Sequence, residues 1–251
     1  MLLPEGEDIM DILDAIKKRR SIRGYKPDPV PKAAIRDILE IAGRAPSAMN
    51  TQPWEFAVVT GEPLQKMREG NIEKIRSSAK PQPEHQVAGW PNDSIYRVRQ
   101  VELAKHIFEI MKISREDKEK RDEWLERGFC YFDAPAAIII YVDKTLPEAS
   151  PAVDVGAVMQ NICLAALPFG LGTCIHDQGI MYPDVVKRCA GIPESKRLIV
   201  AISIGYPDES NIANQITSTR ESVDKITSWV GFPVRNGIFV IIFIDLYFCF
   251  G

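Results

Sequence analysis

One stretch restricts the fold more than any other, a nearly continuous apolar run with the sequence Asp133-Ala-Pro-Ala-Ala-Ile-Ile-Ile-Tyr-Val142. Its β-branched residues predict a strand. Because polar residues do not alternate with the apolar ones, the strand is expected to be buried on both faces of its sheet. Such a strand calls for helices on both sides of the sheet.

The hydrophobic pattern elsewhere predicts these helices. Apolar residues recur at helical spacing from Ile9 to Ile16, with Asp8 as a possible N-cap, and this helix is predicted to end near Arg19. Further helices are predicted at 34–42 and 154–167, and further strands at 55–61, 169–175 and 198–204. The strand at 55–61 is predicted to be central in the sheet. This order indicates a single domain with helices on both faces of one sheet.

The composition is that of an ordinary soluble protein. With 251 residues and 45% hydrophobic content, the chain can bury a substantial core. Its 31 basic and 34 acidic residues leave a formal charge of -3, so no global field attracts nucleic acid or an anionic membrane. Five widely spaced cysteines without a Cys-x-x-Cys pair favour a reducing compartment and no structural zinc. The acidic N-terminus does not resemble a signal peptide, so we expect a cytoplasmic protein.

Ten residues interrupt the helical pattern before the strand at 55–61, with the sequence Ala45-Pro-Ser-Ala-Met-Asn-Thr-Gln-Pro-Trp54. Between two prolines that stiffen the backbone lie four hydrogen-bonding side chains, Ser47, Asn50, Thr51 and Gln52. Ser, Asn and Pro are common in ordinary helix-to-strand connections. The same composition also suits a fixed polar surface that binds a ligand, and these residues alone do not decide between the two interpretations.

The exit from the first helix is strongly basic, with the sequence Lys17-Lys18-Arg19-Arg20-Ser21-Ile22-Arg23-Gly24-Tyr25. Cations at a helix C-terminus complement the helix dipole, which accounts for Lys17 and Lys18. In an extended segment, alternation sends Arg19, Ser21 and Arg23 to one side. Guanidinium groups beside a hydroxyl suit a phosphate or the polar edge of a heterocycle, so this segment is either a helix exit or part of a binding site.

Three further features have weaker functional interpretations. The highly charged residues 64–128 are predicted to be mostly helical and form either a mobile cover over a site or a solvated helical excursion. His176 beside Asp177 suggests acid–base chemistry, but no nucleophile stands at a recognisable spacing. Gly170-x-Gly172 follows a helix and precedes a strand, which is the reverse of a dinucleotide fingerprint.

Taken together, these motifs resemble the FMN-dependent nitroreductase family. The resemblance rests on four features: Arg19 to Arg23, the motif Pro46-Ser47-x-x-Asn50-Thr51-Gln52-Pro53-Trp54, the buried helix from Asp154 followed by Gly-Leu-Gly-Thr, and Arg220. It implies an α+β fold with a mixed β-sheet flanked by helices on both faces. It also implies one FMN-binding domain over residues 1–232 and an intertwined homodimer that binds FMN across its interface.

The resemblance assigns five residues to the phosphate and to one edge of the flavin ring. Arg19, Arg20, Ser21 and Arg23 match the family's first FMN segment, which meets the phosphate and the N1–C2 edge. Arg220 matches a late basic residue on the phosphate. A fixed guanidinium near N1 stabilises the negative charge of the reduced ring and so favours hydride acceptance.

Five more residues are assigned to the ring face and to flavin N5. Pro46, Ser47 and Asn50 match the segment that the other subunit contributes to the ring and the ribityl chain. Gln178 and Gly179 match the loop whose backbone N–H approaches N5, where glycine allows a close approach. The resemblance implies no catalytic side chain and no metal ligand.

The implied activity is that of an oxidoreductase with FMN as cofactor and NADH or NADPH as co-substrate. Electrons pass through flavin N5 to a nitroaromatic, a quinone or a similar small electrophile in ping-pong chemistry. Alternatives with the same fold are a flavin-fragmenting or reductively dehalogenating enzyme, which product analysis under oxygen would reveal, and a non-catalytic flavin carrier or sensor. The partners expected are a second copy of the chain and a small molecule, with no nucleic acid and no membrane.

Some positions depart from the family pattern. Ser218 stands where the family often has Lys, and Ala48 replaces a commonly seen second serine. Arg127 and Cys130 stand where many relatives place polar groups for the flavin, and neither receives an assignment.

The chain ends in an apolar run of thirteen residues, 238–250, within a tail at 233–251 of uncertain role. The run is shorter than the about 20 residues that span a bilayer. It is an extra dimer-wrapping strand, an interfacial anchor or a non-native end. Its β-branched and aromatic content favours the first, because such a segment would aggregate if left exposed.

Overall fold

The computed structural model of the chain describes residues 10–87 and 89–232. The predicted helix start at Ile9 and the apolar tail at 233–251 lie outside the described residues. The chain divides into two compact units, Met1–Thr217 and Ser218–Gly251.

A four-stranded sheet lies in the first unit. The strands are β1 (Glu55–Thr60), β2 (Ala136–Asp143), β3 (Gly172–His176) and β4 (Lys196–Gly205). Their order in the sheet is β1-β2-β4-β3, and each neighbouring pair is antiparallel. A mixed sheet was predicted. Within the described residues, the one parallel pairing is the isolated bridge between Ser21 and Thr173.

Strand β1 lies at the edge of the sheet, so the prediction that it is central is wrong for the described chain. Its partner in the sheet is β2 alone. The exposure of its side chains agrees with this position, because Val59 is 4% exposed whereas Val58 is 42% exposed. The apolar sequence of this strand does not distinguish an edge from an interior position.

The described residues form eight α-helices: α1 (Ile12–Lys18), α2 (Lys32–Ala42), α3 (Gly61–Arg76), α4 (Ile95–Ile110), α5 (Lys118–Phe129), α6 (Ser150–Ala165), α7 (Pro183–Ala190) and α8 (Val223–Ile226). The N-cap of α1 is Asp11, and the predicted N-cap Asp8 lies outside the described residues. The Asp11 carboxylate accepts the backbone N–H of Leu13 at 2.8 Å, which satisfies a donor that the first turn leaves unpaired.

Helices cover both faces of the sheet, as predicted from the apolar run. Ile138 and Ile140 of β2 belong to a core cluster that includes Ile38 of α2 and Val158 of α6. On the opposite face, Ile139 belongs to a second cluster, with partners from α3 and α7. Alternate residues of β2 therefore enter two separate cores, which is why the run contains almost no polar residue.

Helix α6 packs in the core, although its composition would also suit a membrane-spanning helix. By length and composition alone, Ser150–Phe169 is apolar enough to cross a membrane. Val155, Val158 and Ile162 of this helix are buried in the cluster that it shares with α2 and the sheet. Its apolar character is thus explained in part by packing within the chain.

We expect that shortening a buried side chain of β2 will destabilise the protein far more than shortening an exposed side chain of β1. Ile138→Ala should lower the free energy of unfolding by about 2–5 kcal/mol, because the fully buried side chain leaves a cavity. Val58→Ala, at the exposed edge, should lower it by less than about 1 kcal/mol. Urea denaturation measures both, and equal losses would contradict the two-core arrangement.

Candidate functional site

The basic segment after α1 lies against the edge strand β3. Ser21 forms the parallel bridge with Thr173. Burial raises the pKa of the Cys174 thiol on this strand to about 11, and Arg23, Ser21 and Arg19 each act in the opposite direction. All three residues are thus close enough to Cys174 to act on its thiol.

A buried asparagine that the sequence analysis missed holds the backbone at Arg23. The Asn214 Oδ1 atom accepts the N–H of Arg23 at 2.7 Å and the N–H of Gly24 at 3.1 Å. Its Nδ2 atom donates to the C=O of Gly24 and to the C=O of Asp208, both at 2.8 Å. Because Asn214 is only 3% exposed and its amide is fully engaged, the backbone at Arg23 is fixed.

Two guanidinium groups and two aromatic rings form a cluster next to this segment, called here the Arg23 cluster. Its members are Arg23, Arg127, Trp124 and Phe132. Arg127 Nη2 donates to the C=O of Arg23 at 2.8 Å, and its Nε lies 3.8 Å from the carboxylate of Asp133. The Arg23 guanidinium lies 6.0 Å from the Phe132 ring centroid, and that of Arg127 lies 5.8 Å from the Trp124 ring centroid. The cluster combines cations with flat apolar surfaces, which suits an anionic aromatic ligand.

The backbone that carries Phe132 is strained. Tyr131, Phe132 and Asp133 have φ values of 57°, 52° and 60°, in the left-handed region that residues other than glycine seldom adopt. The rings of Tyr131 and Phe132 both contact the His176 ring, with 5.4 Å between centroids in each pair, and these contacts hold the conformation. Such strain is concentrated at functional sites, where surrounding packing maintains it. Positive φ values outside glycine have no simple sequence signal, and the run predicted as a strand from Asp133 begins as strand β2 only at Ala136.

The connection between α2 and β1 is strained in the same way. Met49, Asn50 and Gln52 have φ values of 50°, 57° and 45°. Pro46 and Asn50 are exposed, and so is the whole side chain of Met49. The turn thus presents its polar and apolar groups outwards, which an ordinary connection does not require.

Two hydrogen bonds hold this turn in place. The Ser47 hydroxyl accepts the N–H of Gln52 at 2.9 Å, inside the turn. The Ala48 N–H donates to the carboxylate of Asp154 at 3.2 Å, and Asp154 is a buried residue on α6. Ser47 therefore shapes the turn, and Asp154 ties it to the core.

The loop after β3 is organised around His176. The His176 Nδ1 atom accepts the N–H of Gly179 at 3.2 Å, and its Nε2 lies 2.9 Å from the Ser203 hydroxyl. Burial, with a smaller contribution from Arg23, lowers the pKa of His176 to about 3. Both ring nitrogens are engaged by groups other than Asp177, so the geometry does not support an acid–base pair of these neighbours.

Not all predicted site residues come together in the described chain. Arg19, Ser21 and Arg23 lie next to β3, and Gln178 donates to the C=O of Leu125 on α5. No hydrogen bond, ion pair or ring contact within residues 10–87 and 89–232 joins the turn at 46–50 to the Arg23 cluster. The cofactor segment that the resemblance assigned to the other subunit is thus separate from the first segment within one chain.

Arg20 and Arg220 are the remaining residues that were predicted to bind the phosphate. Arg20 is exposed at the end of α1. Arg220 belongs to the second unit, where its Nη1 donates to the Ser218 hydroxyl and to the C=O of Thr219, both at 2.8 Å. Within the described part of the chain, no group of three or more His, Cys, Asp or Glu is placed to hold a metal ion.

Comparison with known proteins finds similarity over most of the chain. The model of the nitroreductase family matches residues 16–206. A chloronitrobenzene nitroreductase from Comamonas testosteroni is 31% identical over 218 residues, which is 86% of this chain and 96% of that protein. A 4-nitrobenzoate reductase from Pseudomonas putida is 31% identical over 228 residues, or 89% and 98% of the two chains. The solved structure of the FMN-dependent nitroreductase NfnB from Mycobacterium smegmatis in complex with NADPH is 25% identical, with a TM-score of 0.81 over 87% of this chain and 99% of that one.

The buried His176 should make the protein sensitive to acid. The unfolded chain protonates this residue below its ordinary pKa of 6.5, whereas the folded protein does so only near pH 3. Between these values the unfolded state binds more protons, so the free energy of unfolding should fall as the pH falls, by roughly 3–5 kcal/mol from this group.

Urea denaturation of the His176→Asn variant between pH 7 and pH 4 tests this prediction. The variant should lose part of the pH dependence, because the titrating group is gone. His106→Asn, on α4, is the matched control and should keep the wild-type slope. An unchanged slope in His176→Asn would show that other groups cause the acid sensitivity.

Proposed function

The chain belongs to the nitroreductase family, and we propose that it is an FMN-dependent oxidoreductase. It takes hydride from NADH or NADPH and reduces a nitroaromatic, a quinone or a similar small electrophile. The observation that carries this proposal is the Arg23 cluster, where a cation with a fixed backbone stands beside an aromatic ring at the edge of the sheet. Known relatives named for reducing chloronitrobenzene and 4-nitrobenzoate support a nitroaromatic as the acceptor class.

The residues of the first segment suit the anionic and polar parts of FMN. When bound, FMN supplies the two-electron chemistry at its N5 atom. Arg19, Ser21 and Arg23 provide two guanidinium groups and a hydroxyl close to Cys174 of β3. Asn214 and Arg127 hold the backbone of Arg23, so this cation is already in position when negative charge develops and needs no reorganisation.

Two titratable groups near the cluster, His176 and Tyr25, are held by hydrogen bonds inside the protein. His176 is neutral and engaged at both nitrogens. Burial raises the pKa of Tyr25 well above its ordinary value, and its hydroxyl donates to the C=O of Ile22 at 2.7 Å. We therefore assign these residues to positioning and assign delivery of the proton to solvent.

A second copy of the chain completes the proposed site. On α1, Ile12, Leu13 and Ile16 are more than half exposed, although their spacing is that of a buried helix face. On α6, Val153 is 78% exposed. Contiguous exposed apolar residues mark association surfaces. A homodimer would cover these faces and bring the turn at 46–50 of one subunit to the Arg23 cluster of the other.

The purified protein should carry or take up FMN and lose its visible flavin absorbance when NADH or NADPH is added without oxygen. Addition of 4-nitrobenzoate should then restore the absorbance, because the acceptor removes the electrons. Both steps are measured by anaerobic spectrophotometry. Absence of flavin absorbance even after addition of FMN would refute the proposed function.

Removing the amide of Asn50 should weaken FMN retention about fivefold, the effect of one lost hydrogen bond. Asn50→Gly deletes this side chain while glycine tolerates the left-handed backbone. Met49→Gly is the matched control, since Met49 has the same kind of backbone conformation in the same turn but carries no amide. Flavin fluorescence quenching gives the two dissociation constants, and equal values in both variants would exclude a role for the Asn50 amide.

Introducing a charge on the apolar side of α1 should weaken the dimer. Leu13→Glu places a carboxylate where we expect contact with the second copy, which costs desolvation of that charge. Lys17→Glu introduces the same group at a polar position of the same helix and should leave the dimer intact. Sedimentation velocity measures the monomer fraction, and equal dimer stability in the two variants would contradict an interface at α1.

A further inference from the structure

The loop after β3 is held from inside the protein by a buried chain of hydrogen bonds. The N–H of Gly179 donates to His176 Nδ1, and the Ser203 hydroxyl donates to the C=O of Tyr131 at 2.9 Å. His176 Nε2 lies 2.9 Å from the same hydroxyl. Ser203 is completely buried, and His176 nearly so. The chain thus links the loop to β4 and to the strained segment that carries Phe132.

These contacts define which nitrogen of His176 carries the proton. Because Nδ1 accepts the N–H of Gly179, the proton of the neutral ring is on Nε2, which donates to the Ser203 hydroxyl. That hydroxyl in turn donates to Tyr131. In the other tautomer, the Nδ1 proton would face the N–H of Gly179, so a single arrangement satisfies all the groups.

The same contacts engage both backbone groups of Gly179. Its N–H is taken by His176, and its C=O accepts the Tyr131 hydroxyl. A Cβ atom at this position would lie 2.6 Å from the Tyr131 ring, so the backbone is packed directly against the interior. In contrast, the backbone N–H groups of Asp177 and Gln178 donate to no group within the described residues. The loop therefore keeps two free donors, and Gly179 is not one of them.

We propose that His176 is a positioning residue that engages the Gly179 N–H inside the protein and leaves the N–H groups of Asp177 and Gln178 available to flavin N5. This inference rests on the proposed function, since it concerns the loop that the resemblance places against N5. It differs from the assignment made by resemblance, in which the N–H of Gly179 could serve that role. Gly128 beside Gln178 supports the arrangement, because a Cβ there would collide with the Gln178 side chain, which is directed towards α5.

Residue-resolved hydrogen exchange tests which N–H meets the cofactor. Without FMN, the Gly179 amide should already be protected, and the amides of Asp177 and Gln178 should exchange freely. Addition of FMN should protect Asp177 or Gln178 and leave Gly179 unchanged. A Gly179 amide that is unprotected without FMN and becomes protected with it would overturn the proposal.

Three variants test the role of His176. His176→Leu removes both hydrogen bonds, whereas His176→Asn keeps an acceptor close to the position of Nδ1. Ser203→Ala removes the contact at Nε2 together with the hydrogen bond to the C=O of Tyr131. The matched control is His106→Leu on α4.

The readout is the affinity of sulfite for N5 of the bound flavin, together with the flavin midpoint potential. His176→Leu should change the sulfite dissociation constant about fivefold, as expected for one hydrogen bond that is no longer correctly placed. His176→Asn should stay within about twofold of the wild-type value, because its acceptor restores the bond to Gly179. A purely structural role would lower stability but would leave both readouts unchanged in the FMN-loaded protein.

The possible outcomes separate the positioning role from the proposed function. A wild-type protein that takes up no FMN would refute the proposed function, and the positioning role would fall with it. Normal FMN uptake with unchanged sulfite affinity and potential in His176→Leu would refute the positioning role alone. If His176→Leu does not fold, Ser203→Ala provides the test, because without an acceptor for its Nε2 proton the ring can carry that proton on Nδ1 and lose the bond to Gly179. Increased exchange of Gly179 in Ser203→Ala but not in His176→Asn supports the proposal, and wild-type exchange in Ser203→Ala overturns it.

Discussion

The structure depends on the complete burial of the first five residues of strand β2. Residues 136–140 have no exposed surface, so both faces of the sheet must be covered. Helices α2 and α6 cover one face, and α3 and α7 cover the other. These layers leave β3 at an edge of the sheet, where the basic segment after α1 can join it and where the loop that follows it meets α5. The site is therefore a consequence of how the two cores are filled.

Much of the fold could be predicted from hydrophobic periodicity because periodicity is local. The β2 run and the helix at 154–167 were recognisable since burial on several sides removes polar residues from the sequence. The position of β1 was not, because Phe56 to Val59 have the same apolar character that an interior strand would have. Whether a strand is at an edge depends on pairing with distant segments, which no single stretch records. The sequence does not identify Asp11 as the N-cap of α1, because several acidic residues near the start are equally suited to that position.

The candidate site was only partly predictable for a related reason. The basic segment and the polar turn have unusual local compositions, so both were found. Asn214 and Phe132 were missed and Arg127 received no assignment, because their importance comes from contacts across the chain and from left-handed backbone, neither of which has a local signature. Resemblance to a family identified the loop at 178–179, but only the hydrogen bonds of His176 showed which backbone groups of that loop remain free. Local motifs thus identified the basic segment, the polar turn and the loop, and long-range contacts showed which of their groups are free to bind a ligand.

The hydrogen bond between Arg23 and Asn214 has a consequence for the order of events during synthesis. It joins residues 191 positions apart in the chain. A ribosome releases the first segment early, but the residue that fixes its backbone follows only after β4 has been made. Contacts between such distant residues form late, since the intervening chain must first become ordered. The nascent protein therefore has a nearly finished core before the backbone of the proposed cofactor site is fixed, and we expect cofactor capture to be a late step of biogenesis.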